Sequence, residues 1–139
     1  NLELDGRTPT TVAPVNNLRQ ILVNLIKNAS EALRGEPANG EDKRITVSTC
    51  GSVNFGGTIF VEVSVTDNGP GIPEEFREYL FQAQKSLKGG SHGGLGLSIA
   101  RQLTDEMGGM ITCRSRTSEE GTPGTTFQVL IPETINNIE

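Results

Sequence analysis

The stretch Val63-Ser64-Val65-Thr66-Asp67-Asn68-Gly69-Pro70-Gly71-Ile72-Pro73 changes character in its middle: an alternating apolar pattern runs into a carboxylate, then into two glycines at alternate positions. Alternation of this kind belongs to a half-buried strand. Asn-Gly and Pro-Gly are common turn dipeptides, so one reading is a tight turn. The other is a binding site. A carboxylate at a strand end can accept a hydrogen bond from an exocyclic amine, and the glycines leave room for a flat ring against the backbone. The residues of this stretch alone leave both readings open.

Upstream, Thr58 to Thr66 alternates Ile59, Val61, Val63 and Val65 against Glu62 and Ser64, and Arg44 to Cys50 alternates Ile45, Val47 and Thr49 against Thr46 and Ser48. These read as two strands joined by a hairpin loop over 51–57. Before them, Leu18, Ile21, Leu22, Leu25, Ala29 and Leu33 recur at threes and fours, which predicts a helix from about Pro14 to Arg34, stopped by Gly35. Downstream, a polar, glycine-rich region to Gly94 carries at most a short helix near Glu74 to Leu80. A second helix follows over Leu95 to Met107, with Ile99, Ala100, Leu103 and Met107 on one face and Gly108-Gly109 at its end. Met110 to Ser115 and Thr125 to Ile131 read as two more strands, and Leu2 to Leu4 as a short edge strand. No repeat or internal domain boundary interrupts the pattern.

The 139 residues match one domain, with a formal net charge of −5 and no run of Lys and Arg of the kind that binds nucleic acid. The apolar stretches are far shorter than a membrane span, and Asn1-Leu2-Glu3-Leu4-Asp5 lacks the features of a signal peptide, so the expectation is a soluble piece without an address. Cys50 and Cys113 lie far apart, with no CxxC pairing that suggests zinc or a disulfide framework. The unusual count is 17 glycines against 4% aromatics, because glycine usage averages about 7% and is entropically costly unless its freedom is needed.

Two further groupings look chemical. Asn24 and Asn28 stand one helical turn apart, with Gln20 and Glu31 extending the same polar strip. Such a strip is ordinarily a solvated face, yet asparagine is a poor interior helix former. Its amide oxygen is a neutral hard ligand suited to Mg²⁺, which takes few protein groups and keeps water and phosphate oxygens. Gly89-Gly90-Ser91-His92-Gly93-Gly94-Leu95-Gly96-Leu97 leads into the second helix. Glycine clusters are often linkers, but free N–H groups at a helix start also bind phosphates.

In this order the pieces resemble the ATP-binding catalytic domain of sensor histidine kinases, in the Bergerat-fold superfamily that also holds DNA gyrase, the heat-shock chaperone ATPases and mismatch-repair ATPases. The family's N box is matched by 18–33, its D-x-G-x-G box by Asp67-Asn68-Gly69-Pro70-Gly71, and its G-x-G-L-G-L box by His92-Gly93-Gly94-Leu95-Gly96-Leu97. The closing G-T-x-F signature is matched by Gly124-Thr125-Thr126-Phe127. The form Asn28-Ala29-Ser30-Glu31-Ala32 is similar to the nitrogen-regulation branch.

The resemblance implies an α/β (α+β) fold, a two-layer sandwich of a mixed, mostly antiparallel sheet with helices on one face. It implies ATP and Mg²⁺ as cofactors. Asn28 would coordinate the metal, with Asn24 and Glu31 beside it. Asp67 would bind the adenine amine, Gly69 and Gly71 would shape that pocket, Ile72 would cover the ring, and Thr125 would join the adenine-side network. His92, Gly93, Gly94, Leu95, Gly96 and Leu97 would sit at the phosphates, where Lys85 or Lys88 could reach the γ-phosphate from a lid over about 73–92. The implied partners are an upstream dimerisation and phosphoacceptor domain and a response regulator receiver domain. The isolated domain would be a monomer and the full protein a homodimer, cytoplasmic and bacterial, with or without a membrane anchor.

Three departures bear on activity. His92, the sole histidine, replaces the first glycine of the second box, and no adjacent acidic residue marks it as a phosphoacceptor. Ala32 stands where many relatives carry an aromatic. Asn24 stands where hydrolysing members and anti-sigma-factor serine kinases carry a glutamate base, and an amide cannot take a proton. Asn24 favours transfer to a histidine that brings its own nucleophile. A stand-alone serine/threonine kinase of the anti-sigma type and a catalytically degenerate binding module remain the alternatives.

Overall fold

The computed structural model describes residues 2–3, 15–34, 42–82 and 94–133. The apolar stripe read from the sequence forms helix α1 (Val15–Ala32), in which Ile21, Leu25 and Ala29 are buried and Leu18 and Leu22 pack beside them. A strand pair follows, β2 (Ile45–Phe55) and β3 (Thr58–Asp67). Next come a single turn, α2 (Glu74–Arg77), then α3 (Gly94–Glu106), β4 (Met110–Arg116) and β5 (Gly124–Pro132). Leu2–Glu3 is the short edge strand β1.

The five strands lie in the order β1-β2-β3-β5-β4. Among the described strands only the β1–β2 pair is parallel, so the sheet is mixed and mostly antiparallel. Its two faces differ in chemistry. On one, Val65, Phe127, Val129 and Ile131 meet Ile21, Leu25 and Ala29 of α1 and Leu97 and Ala100 of α3 in a single core. Each of these valine, leucine, isoleucine and phenylalanine side chains contributes roughly 1.5–3 kcal/mol on burial. On the other, Glu62 accepts hydrogen bonds from Ser64 and Gln128, and the Thr66 and Thr126 hydroxyls pair at 2.9 Å. A sheet apolar on one side and polar on the other needs one helical layer, which gives the expected two-layer sandwich.

Two expectations are corrected. The predicted hairpin loop over 51–57 is mostly strand, because a bulge between Cys50 and Val53 absorbs Gly51 and the chain turns only at Gly56 and Gly57, both at positive φ. Ile99 does not share the buried face of α3: it is 40% exposed, while Leu97, Ala100 and Thr104 point inward. The Thr104 hydroxyl is satisfied there by donating to the Ala100 carbonyl at 2.7 Å. No described helix is long and apolar enough to cross a membrane.

Candidate functional site

The site is laid out along α1, because the two ends of its polar strip touch different parts of the chain. Near the helix C-terminus, the Ala32 carbonyl and methyl lie against Gly69, where an added Cβ would meet the Ala32 oxygen at 3.1 Å and Asp67 Oδ1 at 2.9 Å. Two turns earlier, Asn24 donates from Nδ2 to the Gly96 carbonyl at 3.1 Å, and its Oδ1 accepts from Gln20 Nε2 at 2.9 Å. Asn28 lies between, half-buried. Eight residues of helix separate the two ends by about 12 Å.

At the first end, Asp67 closes β3 and is only 3% exposed. Its Oδ1 accepts the Gly69 N–H at 2.8 Å. Its second oxygen takes no hydrogen bond from a described residue, and among the described residues no wholly buried side-chain oxygen lacks a partner, so that oxygen is not sealed in the core. Burial raises the carboxyl from 3.8 to about 6, against the lowering effect of the Gly69 hydrogen bond. Thr125, 5% exposed, stands directly opposite Asp67 on β5. Cys113 lines the same inner face of β4, its thiol pushed up to about 12 by burial, so it is a small apolar filler and not a nucleophile.

The turn after Asp67 is held in part by Ser115, Arg116, Arg77 and Glu120, which no sequence motif singles out. Gly71, at φ +83°, packs so tightly that an added Cβ would lie 2.0 Å from the Arg116 carbonyl oxygen. The Ile72 N–H donates to Ser115 Oγ at 2.7 Å, and that oxygen lies 2.7 Å from Thr125 Oγ1. Arg77 Nε donates to the Ile72 carbonyl at 2.8 Å, and its guanidinium bonds Glu120 at 2.6 Å. This pairing holds the Glu120 carboxyl below its ordinary range, helped by the Thr117 N–H. The signal that would have found Ser115 is its register: β4 pairs with β5 so that Ser115 faces Thr125.

At the second end, Gly94, Leu95 and Gly96 open α3. Leu97 is buried in the core, so its side chain is taken up by packing. Asn28 takes no hydrogen bond from a described residue, and no group of three His, Cys, Asp or Glu that could hold a metal occurs among the described residues. One free amide oxygen without a carboxylate cluster suits a Mg²⁺ ion held mainly by phosphate and water. Glu31 is half-buried on the next turn. Lys85, Lys88, His92 and Gly93 lie outside the described residues.

Residues 14–135 match the family described as histidine kinase-, DNA gyrase B-, and HSP90-like ATPase. The chain belongs to this family. It is 34% identical over 134 residues to the sensory histidine kinase/phosphatase NtrB of Rhizobium leguminosarum bv. phaseoli, a match covering 92% of this chain and 33% of that protein. The nucleotide-free catalytic domain of histidine kinase ThkA superposes with a TM-score of 0.70 at 35% identity, covering 96% of this chain and 79% of that one. A second structure, of ThkA in complex with the response regulator protein TrrA, gives a TM-score of 0.66 at 33% identity, with 96% and 33% covered. The chain thus spans about a third of the length of its NtrB relatives.

Proposed function

We propose that this chain is the catalytic, ATP-binding domain of a two-component sensor histidine kinase similar to the nitrogen-regulation branch. It binds Mg-ATP and delivers the γ-phosphoryl group to a histidine on a dimerisation domain outside these residues, from which an aspartate of a response regulator takes it. Residues 1–139 form one domain, cytoplasmic, with residues 73–92 as its lid. The carrying observation is Asp67: buried at the end of β3, one oxygen held by Gly69 and the other not sealed in the core. An acceptor fixed in that way suits an exocyclic amine, and the Asn24 to Ala32 strip has the length to run from a base to a phosphate chain.

In this reading Asp67 holds the adenine amine, Thr125 joins the base-side hydrogen bonds, Ile72 covers the ring, and Gly69 and Gly71 let it approach. Asn28, with Glu31 nearby, would hold a Mg²⁺ ion, which would neutralise phosphate charge, and the first N–H groups of α3 at Gly94, Leu95 and Gly96 would bind the phosphates. The family resemblance would add Lys85, Lys88, His92 and Gly93, which lie outside the described residues, to the phosphate-binding set. A neutral imidazole nitrogen of the acceptor attacks the γ-phosphorus, the bond to the β,γ-bridging oxygen breaks, ADP leaves and the imidazole N–H proton is lost. Asn24 supports this reading over hydrolysis, because its amide is no base and both its ends are already bonded. The test supplies Mg-ATP and the histidine-bearing dimerisation domain. Acid-labile, base-stable phosphate is expected; acid-stable label would point to serine or threonine, and no label to a binding module.

A further inference from the structure

Ser115 belongs to no motif, yet its hydroxyl sits at a junction. One lone pair takes the Ile72 N–H at 2.7 Å. Two acceptors compete for its single proton: Thr125 Oγ1 at 2.7 Å and the Gly124 carbonyl at 3.3 Å. An O–H···O bond is favourable near 2.7–2.8 Å and poor at 3.3 Å, so the proton goes to Thr125. Thr125 Oγ1 then accepts from Ser115, and its own proton is left for another acceptor. The opposite polarity, with Thr125 donating to Ser115, forces the Ser115 proton onto the long contact with Gly124.

The neighbour across the strand pair gives this polarity a meaning. Asp67, directly opposite Thr125, presents only acceptor atoms when ionised. An acceptor beside a donor complements an edge with a donor beside an acceptor. Adenine presents that edge, with its amine next to N1, and guanine presents the reverse. We propose that Ser115 is a specificity-determining positioning residue, which touches no nucleotide and orients the Thr125 hydroxyl to donate toward purine N1, directly or through one water. This rests on the reading of Asp67 and Thr125 as the base side of an ATP site.

The test pairs a protein change with a one-atom ligand change. Wild-type chain and Ser115→Ala are titrated with Mg²⁺ complexes of ATP and of 1-deaza-ATP, which keeps the amine and lacks N1. The wild type should prefer ATP by about fivefold, the size of one net hydrogen bond. In Ser115→Ala the preference should fall below about twofold, and in Ser115→Thr, which keeps the hydroxyl, it should return. A merely structural serine would weaken both ligands equally and leave the ratio unchanged, which overturns the proposal, as does a wild type without preference. If Ser115→Ala does not fold, Ser115→Cys, near-isosteric and a weak donor, gives the same readout. Asp67→Ala is the control. If it leaves ATP affinity unchanged, the site reading fails; if it weakens both ligands while the Ser115→Ala ratio stays at the wild-type value, only the role of Ser115 fails.

Discussion

A methyl group added at Gly71 would lie 2.0 Å from a backbone oxygen, whereas one added at Gly96 would find nothing nearer than Asn24 at 3.9 Å. The two glycines come from the two glycine boxes: Gly71 packs on Arg116, two residues after the Gly69 that lies against Ala32 of α1, and Gly96 packs near Asn24 of α1. The Gly71 end is built by the sheet: Asp67, Thr125 and Ser115 are fixed by strand register and by short hydrogen bonds. The Gly96 end leaves an amide, Asn28, without a described partner. On the proposed reading, the difference teaches that the base side is preformed and tightly packed, while the phosphate side leaves Asn28 for a metal.

The largest effect is expected where a preformed group is strained. Asp67→Asn should cut Mg-ATP affinity by roughly 30- to 100-fold, the cost of losing a charged hydrogen-bond partner. It should also stabilise the unliganded chain. The folded carboxyl titrates at about 6 against 3.8, so the wild type binds protons more tightly when folded. Its stability is then greatest below pH 4 as far as this group is concerned, falls as pH rises toward 6, and above that is lower by about 3 kcal/mol. Thermal melts between pH 4 and 8 should show this slope in the wild type and not in Asp67→Asn. Nucleotide affinity should run the other way, weakening as pH drops through 6.

Gly71→Ala should destabilise by about 2–4 kcal/mol, since both its φ and its contact with Arg116 forbid a side chain. Gly96→Ala should melt within about 1 kcal/mol of the wild type, on either side. If the Gly96 backbone faces phosphate, its nucleotide affinity still falls, which separates stability from binding at this end. Equal melting losses in the two variants would erase the contrast.

The architecture was legible because its signals are local: the α1 stripe, the alternation of β3 and β5, and the carboxylate-glycine junction at Asp67. What was not legible depends on pairing across the chain. The extension of β2 through Gly51 needs the bulge opposite β3, and the exposure of Ile99 depends on which side of α3 meets α1 and the sheet. Ser115 acquires its role only from the register that puts it beside Thr125. The Arg77–Glu120 pair joins residues 43 positions apart, and Asn24 reaches Gly96 across 72. None of these pairs has a sequence pattern, because hydrogen bonds between distant elements follow from packing and not from spacing.

The smallest effect is expected at that exposed ion pair, which ties Ile72 to the turn before β5. Arg77→Ala should lower nucleotide affinity by only about twofold, and the charge exchange Arg77→Glu with Glu120→Arg should recover part of what Arg77→Glu alone loses.

The most direct measurement is a calorimetric titration of a non-hydrolysable ATP analogue into wild type, Asp67→Ala and Asn28→Ala, with and without Mg²⁺. If Asp67 faces the base, Asp67→Ala loses affinity in both conditions. If Asn28 faces the metal, Asn28→Ala loses about tenfold with Mg²⁺ and nothing without it. Wild-type affinity in both variants would contradict an ATP site along α1.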